Sequence, residues 1–308
     1  MPNESIVVRS LGKVLVTGAG GFVGTALCGQ LGSNGVAVLK GARGTALSPE
    51  MGIDVVVHLA GRVHVMHESS ADPLSACRAA NTLGTVNLAR QAVAAGVRRF
   101  VFVSTVKVHG EGRPAAYAES DAPCPADPYA ISKWEAEQGL RDIAEGSAME
   151  VVIVRPPLVY GPGVKANFLS MMRWVYRGLP LPLGAIHNQR SLVALDNLVD
   201  FLMACATHPA AANQTFLVSD GEDLSTTELL VHMAAALDRT ARLLPVPEWL
   251  LIAAASLLGK HDFAQRLCGS LLVDIAKART LLGWSPPLSV DEGLRRAAAD
   301  FLVKRGRS

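Results

Sequence analysis

Short, unbroken apolar runs recur along the chain and are separated by longer stretches with a helical period. Lys13–Thr17, Ile53–Ala60, Phe100–Ser104 and Glu150–Val154 are each bounded by Gly, Pro or polar residues, as strands buried on both faces would be. Val36–Leu39, Arg190–Val193 and Thr215–Val218 read as further strands, and Leu271–Asp274 as extended. Apolar positions three and four apart predict helices. The first carries Ala26, Leu27 and Leu31 on its packing face and ends near Gly35. Others cover Pro73–Ala95, Tyr129–Ala144, Phe168–Arg177, Asp196–Thr207 and Thr226–Leu237, the last capped by Ser225. The chain then predicts helices over Trp249–Leu258, Gln265–Leu271, Ala276–Leu282 and Val290–Arg305. Between Lys40 and Gly52 the residues are rich in Gly, Ala, Ser and Pro, and neither helix nor strand is predicted. The Pro156–Gly163 exit can continue neither helix nor strand and redirects the chain. Strand and helix alternate in the first half, which predicts an α/β fold with a Rossmann-type doubly wound parallel sheet. One domain over 1–163 and a smaller mixed α/β C-terminal lobe over 164–308 follow, with later chain returning to the first.

Composition narrows the field. The chain has 308 residues, 50% of them apolar, enough to bury a large core. A net charge of +2 gives no reason to expect nucleic acid or an anionic membrane as partner. Cys28, Cys77, Cys124, Cys205 and Cys268 are odd in number and scattered, which fits a reducing cytoplasmic setting without disulfides. His64 and His67 are three apart with no third ligand nearby, so no metal is expected. Leu250–Leu258 is apolar but too short to span a bilayer, and no membrane insertion is expected.

The first strand runs straight into Gly18-Ala19-Gly20-Gly21-Phe22-Val23-Gly24 and then into a helix. That is the context a dinucleotide fingerprint needs. Gly18 permits the tight turn, Gly21 lets a pyrophosphate approach the backbone, and Gly24 lets helix and strand pack closely. The spacing is Gly-x-x-Gly-x-x-Gly rather than Gly-x-Gly-x-x-Gly. Past Leu39, where NAD enzymes often carry an acid for the ribose 2′-hydroxyl, stand Lys40 and Arg43. Two cations suit the 2′-phosphate of NADP, and they equally suit an ordinary surface.

Tyr129 and Lys133 are four apart and share one helix face. An ammonium beside a phenol favours the phenolate and is expected to lower the tyrosine pKa. Ser104 and Thr105 come at the C-terminal end of a buried strand, the edge where open α/β sheets bind ligands. Thr105 and Tyr129 could bond one substrate oxygen, and Lys133 could reach a nicotinamide ribose. This constellation fits hydride transfer at a carbinol or ketone carbon, with Tyr129 as acid/base and Thr105 as orienting donor.

Taken together, the glycine turn, His58-Leu59-Ala60-Gly61, Asn81, Ser104-Thr105 through Val108-His109-Gly110, and Tyr129-x-x-x-Lys133 resemble the extended short-chain dehydrogenase/reductases, the NAD-dependent epimerase/dehydratases of nucleotide sugars. Arg155-Pro156, Val159-Tyr160-Gly161-Pro162, Arg190-Ser191-Leu192-Val193 and Leu282-Gly283-Trp284 extend the resemblance over nearly the whole chain. The resemblance implies Thr105, Tyr129 and Lys133 as catalytic residues. It implies NAD(H) or NADP(H) held by Gly18, Gly20, Gly21, Phe22, Val23, Gly24, Lys40, Arg43, Leu59, Ala60, Gly61, Asn81, Ser104, Tyr129, Lys133 and Pro156. For the UDP-sugar it implies Thr105, Lys107, Asn167, Arg190 and Arg266. Either arginine could instead be a surface salt bridge, and Asn167 a loop cap. A cytoplasmic homodimer, joined through the helices bearing Asn81 and Tyr129, is also implied.

Where the family's dehydratases carry an Asp-Glu pair after the catalytic Thr, this chain has Val106 and Lys107, which argues against dehydration. The local motifs look most like bacterial polysaccharide enzymes that reduce a UDP-4-keto-6-deoxy-N-acetylhexosamine. The Lys40/Arg43 pair favours that reductase, and a UDP-glucose or UDP-N-acetylglucosamine 4-epimerase is the alternative. A non-catalytic dinucleotide-binding sensor is the alternative of another class. The stretch after the second strand is shorter than in most relatives. Either the sheet lacks a strand there or the adenine pocket is built differently.

Overall fold

The computed structural model describes residues 11–42, 44–62, 72–113, 115–257, 259 and 267–306. Its centre is a six-stranded parallel sheet built from β1 (Lys13–Thr17), β2 (Val38–Gly41), β3 (Ile53–His58), β4 (Arg99–Val103), β5 (Glu150–Arg155) and β8 (Thr215–Leu217), in the order β2-β1-β3-β4-β5-β8. The sixth strand comes from beyond residue 163. Between β5 and β8 the chain forms β6 (Leu158–Tyr160) and β7 (Arg190–Ala194), which pair in parallel, and then β9 (Asp223–Leu224) adds antiparallel to β7.

Three expectations change. The second strand ends at Gly41, so Lys40 lies within it, and Pro49–Met51 forms a 3₁₀ turn in the stretch expected to be irregular. β2 is the edge of the large sheet, so the strand missing from the short Lys40–Gly52 stretch is the one that would lie outside β2. The Pro156-Pro157 exit does resume a strand, because Leu158–Tyr160 pairs with β7 once the prolines have passed. Of the helix expected over 265–271, the described part is extended by Leu271, which pairs with Arg190.

Alternating side chains on β1 explain the layers. Val14 and Val16 pack with Leu27 and Leu31 of α1 (Phe22–Ser33) and with Leu198, Phe201 and Leu202. Leu15 faces the other way, against Leu88, Ala89 and Ala92 and against Ala136 and Leu140. A parallel sheet covered on both faces needs such uniformly apolar strands. The helices past β3 are α2 (Pro73–Cys77), a π-helical segment Arg78–Leu83, and α3 (Gly84–Ala94), one continuous run with a wider turn in its middle. α4 (Pro128–Glu145) begins where sequence chemistry says it should. Asp127 caps it by accepting from Ala130 N at 2.8 Å, and Pro128 takes the first turn.

The smaller sheet packs on α5 (Ala166–Tyr176) and on the later helices α7 (Thr226–Ala236) and α10 (Val290–Gly306) around Tyr160, Phe168, Met172, Leu230 and Leu294. α6 (Leu195–Thr207) returns to the large sheet, α8 (Glu248–Leu257) follows α7, and α9 (Ala276–Leu282) packs Ala278 and Leu282 against the large sheet's core. Ser225 and Glu228 form a reciprocal capping box at the start of α7. Asp220 joins the two units: its carboxylate accepts from Tyr160 Oη at 2.8 Å, Ala194 N at 2.8 Å and Asn197 Nδ2 at 2.7 Å. No helix among the described residues is long and apolar enough to cross a membrane.

One buried pair fixes α4 against the strand ends. Glu137 is fully buried and accepts from Arg155 Nε at 3.0 Å, Arg155 Nη2 at 2.5 Å and Ser104 Oγ at 2.5 Å. Arg155 is equally buried, so each charge depends on the other. Glu137→Ala is expected to cost about 3–5 kcal/mol of stability in urea unfolding, because it leaves the Arg155 charge without its partner. A cost under about 1 kcal/mol would show that the pair does not hold these elements.

Candidate active site

The C-terminal ends of β1, β3, β4 and β5 lie along one edge of the sheet, and the expected residues gather there. At β1 the chain turns at Gly18 with φ +69°. A Cβ on Gly18 would come within 2.8 Å of Ala60 N, so the exits of β1 and β3 touch through a glycine. A Cβ on Gly24 would overlap the Gly18 carbonyl oxygen. α1 therefore starts in contact with the turn, its cap Gly21 has no side chain, and its first turn holds no acid. That leaves the N–H groups and the positive end of the helix dipole for a phosphate. Beside it opens a cleft of ≈550 Å³ lined by Ala19, Gly20, Thr25, Cys28, Lys40 and Gly41. The glycine cradle, the uncapped helix start and a cation at the cleft fit a dinucleotide.

The loop after β3 is held from below. Thr17 Oγ1 lies 2.6 Å from His58 Nδ1, and His58 Nε2 lies 2.9 Å from Thr85 Oγ1. Burial, followed by the charge of Lys133, pushes the His58 pKa down to about 3, so the ring is neutral and can link the two hydroxyls. The side chain of Asn81 holds the backbone: its Oδ1 accepts from Arg62 N at 2.6 Å, and its Nδ2 donates to Arg62 O at 3.0 Å and Ser132 Oγ at 2.9 Å. Asn81 thus fixes the Gly61-Arg62 loop to α4 from within the π-helical segment, a kind of turn often found at functional sites.

Two ties join the Thr105 turn to the Tyr129 helix. Lys133 Nζ donates to Val103 O at 2.9 Å, two residues before Thr105. Lys107 Nζ, two residues after Thr105, lies 3.1 Å from Asp127 Oδ2, two residues before Tyr129. The same ammonium is 3.0 Å from Glu111 Oε1. Lys107, expected to meet substrate, is therefore engaged by two carboxylates. Pro156 O accepts from Val106 N at 3.0 Å and steadies the turn from β5. Thr105 is buried, and its Oγ1 accepts from Lys107 N at 3.3 Å. Ser104 faces inward to Glu137.

The electrostatics correct one expectation. Tyr129 is half-buried, and its phenol pKa is raised, not lowered: burial acts first, then the charges of Asp127 and Cys77. Lys133 does not offset this because its ammonium is turned to the Val103 carbonyl and lies 4.5 Å above the Phe102 ring centre. Burial lowers the Lys133 pKa to about 8, against the opposing pull of Glu137. A Cβ on Gly61 would come within 3.3 Å of Lys133 Nζ, so lysine and β3 loop abut.

The substrate candidates are more dispersed. Arg190, at the start of β7, donates from Nη1 to Gly269 O at 2.9 Å, and burial lowers its pKa against the pull of Glu111. Glu111 therefore links Arg190 electrostatically to Lys107. Asn167 is exposed in the first turn of α5, after Ala166 at φ +54°, and no described contact connects it to the Thr105–Tyr129 group. Arg43, Arg266, His64 and His67 lie outside the described residues. Glu137, Asp127 and Glu111 are the residues for which sequence reading assigned no role. The signal for the first was available, since Tyr129, Lys133, Glu137 and Arg141 are spaced by four along one helix stripe.

A lysine with a folded pKa near 8 and an ordinary value of 10.5 is charged in the fold at a cost below pH 8. The unfolded chain holds that proton more tightly, so the Lys133 contribution to stability rises as pH climbs from about 8 toward 10.5. Urea unfolding of the cofactor-free protein at pH 7 and pH 10 is expected to favour wild type over Lys133→Met by about 2–3 kcal/mol more at the higher pH. An unchanged difference would mean that Lys133 is not buried as described.

Comparison with known proteins agrees with this geometry. Residues 14–219 match the model of the NAD dependent epimerase/dehydratase family. The chain is 45% identical to a UDP-glucose 4-epimerase of Vibrio cholerae, over 96% of this chain and 97% of that protein. Among solved structures, a UDP-glucose 4-epimerase of Thermotoga maritima with UDP-glucose superposes with a TM-score of 0.74 at 22% identity, covering 95% of this chain and 99% of that one. RMD of Pseudomonas aeruginosa complexed with NADPH superposes with a TM-score of 0.75 at 24% identity, covering 95% and 99%. The matched span takes in every strand of the large sheet, the glycine turn and the Tyr129 helix, and the chain belongs to the NAD-dependent epimerase/dehydratase family.

Proposed function

We propose that this enzyme moves hydride at C4 of a UDP-sugar, with Tyr129 as acid/base, Thr105 as orienting hydroxyl and Lys133 as the cation beside them. The observation that carries the reading is the pair of ties, Lys133 to Val103 and Lys107 to Asp127, which bring the Thr105 turn and the Tyr129 helix to one sheet edge. Within that chemistry, 4-epimerisation is the first reading, supported by the Vibrio cholerae relative named a UDP-glucose 4-epimerase. This reverses the preference for a 4-keto reductase drawn from sequence. The reductase stays as second reading because Lys40 lines the cleft beside the glycine turn, where a cation suits the 2′-phosphate of NADPH.

The nicotinamide, when bound, supplies hydride exchange with C4. The chain's own residues do the rest. The start of α1 and the glycine turn would hold the pyrophosphate. Lys40 stands where the adenosine ribose would lie. Thr105 orients the C4 oxygen, and Tyr129 takes or returns its proton. Arg190 offers a guanidinium for the substrate diphosphate. With Val106 and Lys107 after Thr105 in place of an acid pair, the site has no second proton shuttle there for water loss.

Conversion of UDP-glucose to UDP-galactose without added reductant is expected. Tyr129→Phe should lose at least about 100-fold in turnover while still binding cofactor. Loss of absorbance at 340 nm with a UDP-4-keto-6-deoxy sugar, and no C4 inversion, would favour the reductase. No turnover in either assay by the wild-type protein, with cofactor still bound, would instead favour the non-catalytic sensor. Lys40→Ala is expected to weaken NADPH binding by about tenfold and leave NADH unchanged if the cation serves a 2′-phosphate, as calorimetric titration would register.

A further inference from the structure

We propose that Lys107 is a positioning residue whose ammonium, set between Asp127 and Glu111, ties the Thr105 turn to the cap of the Tyr129 helix and screens the Tyr129 phenol from the Asp127 carboxylate. The inference rests on the reading of Tyr129 as acid/base. Lys107 Nζ is 3.1 Å from Asp127 Oδ2 and 3.0 Å from Glu111 Oε1. Asp127 performs two tasks with its two oxygens. Oδ1 caps α4 through Ala130 N at 2.8 Å, while Oδ2 faces Lys107. One carboxylate thereby sets where the helix starts and also which turn that start is bound to. Lys107 is a third exposed, and its pKa is raised: burial works against the charge, but the bond to Glu111 and the charge of Asp127 outweigh it. The ammonium is therefore charged throughout the working pH range.

The groups around the phenol among the described residues give the tie its consequence. Asp127 stands two residues before Tyr129 on its own helix, and Lys133 one turn after it. Cys77 approaches from α2. Lys107 and Glu111 come from the Thr105 turn, and Arg190 lies behind Glu111 from β7. Asp127 and Cys77 both raise the phenol, and burial raises it most. Lys107 stands against the more negative of these neighbours. Remove its charge and Asp127 acts on the phenol in full. Remove the charge of Asp127 and one cause of the raised phenol disappears.

The two substitutions must therefore shift the phenol in opposite directions. In kcat/KM against pH, the limb belonging to Tyr129 is alkaline if the phenol first gives its proton, and acidic if the phenolate first takes one. Either way that limb is expected to move up by about half a unit to one unit in Lys107→Met, and down by a similar amount in Asp127→Asn. Asparagine caps helices about as well as aspartate, so α4 keeps its start in that variant. The double variant should return toward wild type, and Lys107→Arg should hold the wild-type limb. Limbs that stay put in both single variants, or move the same way, overturn the proposal. Tyr129→Phe, assayed alongside, separates the two failures. Full turnover there overturns the role of Tyr129 itself. Lost turnover there with unmoved limbs in the other variants overturns only the tie.

Discussion

A carboxylate cannot be buried with no water around it unless cations and donors replace the water, and Glu137 is buried in that way. Arg155 supplies two bonds from the end of β5 and Ser104 one from the end of β4. Satisfying Glu137 therefore fixes the rotation and height of α4 against two adjacent strands. Lys133 is four residues before Glu137 on the same stripe and Tyr129 four before that. With Glu137 seated, the lysine lies at the β4 exit and bonds Val103 O there. The placement of Tyr129 and Lys133 thus depends on a buried carboxylate further along their own helix. Such a pair adds little net stability over an apolar replacement, but a shifted helix would part Glu137 from Arg155 and leave it only Arg141, 3.1 Å away on its own helix.

A second constraint works at the other end of the edge. The β1 and β3 exits pass so closely that Gly18 has no room for a side chain beside Ala60. Thr17, His58 and Thr85 then lock the two strands to α3 through a neutral imidazole. His58 also stacks on Phe102, the ring beneath the Lys133 ammonium. The glycine-turn end and the Tyr129–Lys133 end of the edge are thus parts of one packed layer. The short chain after β2 fits this arrangement, because trimming the sheet outside β2 alters only the edge beside the ≈550 Å³ cleft and leaves the β1–β3–β4–β5 core intact.

The fold was legible because its strands are apolar on both faces and its turns are glycine-rich. Those signals are local, and β1, α1, β3, β4, α4 and β5 follow them to within a residue or two. β6 was hidden by the Pro156-Pro157 pair, since nothing local reveals that three residues later the chain finds β7. Thr105, Tyr129 and Lys133 were legible as motif residues. Their electrostatics were not, because a pKa depends on what faces the group across space. Helix spacing suggested that Lys133 would lower the phenol. The fold turns that ammonium to a carbonyl and sets Asp127 near the ring instead. Asn81 shows the same limit. Its place in the motif was readable, but not that its side chain would bind the Arg62 backbone.

A raised phenol and a lowered lysine show that proximity alone does not make a tyrosine reactive. In Tyr129 and Lys133 burial is the largest cause of both shifts; Asp127 and Cys77 act with it on the phenol, and Glu137 acts against it on the lysine. Burial of this kind favours a neutral tyrosine and weakens the lysine's hold on its proton. A phenol in that state keeps its proton, so it can give it only to a stronger base and cannot act as a base itself. It becomes a base only when more positive charge faces it than the resting edge supplies. Lys133 has that charge at neutral pH, but the Val103 carbonyl holds it. Burial keeps the Tyr129 proton in place, and the same burial makes each nearby charge count for more.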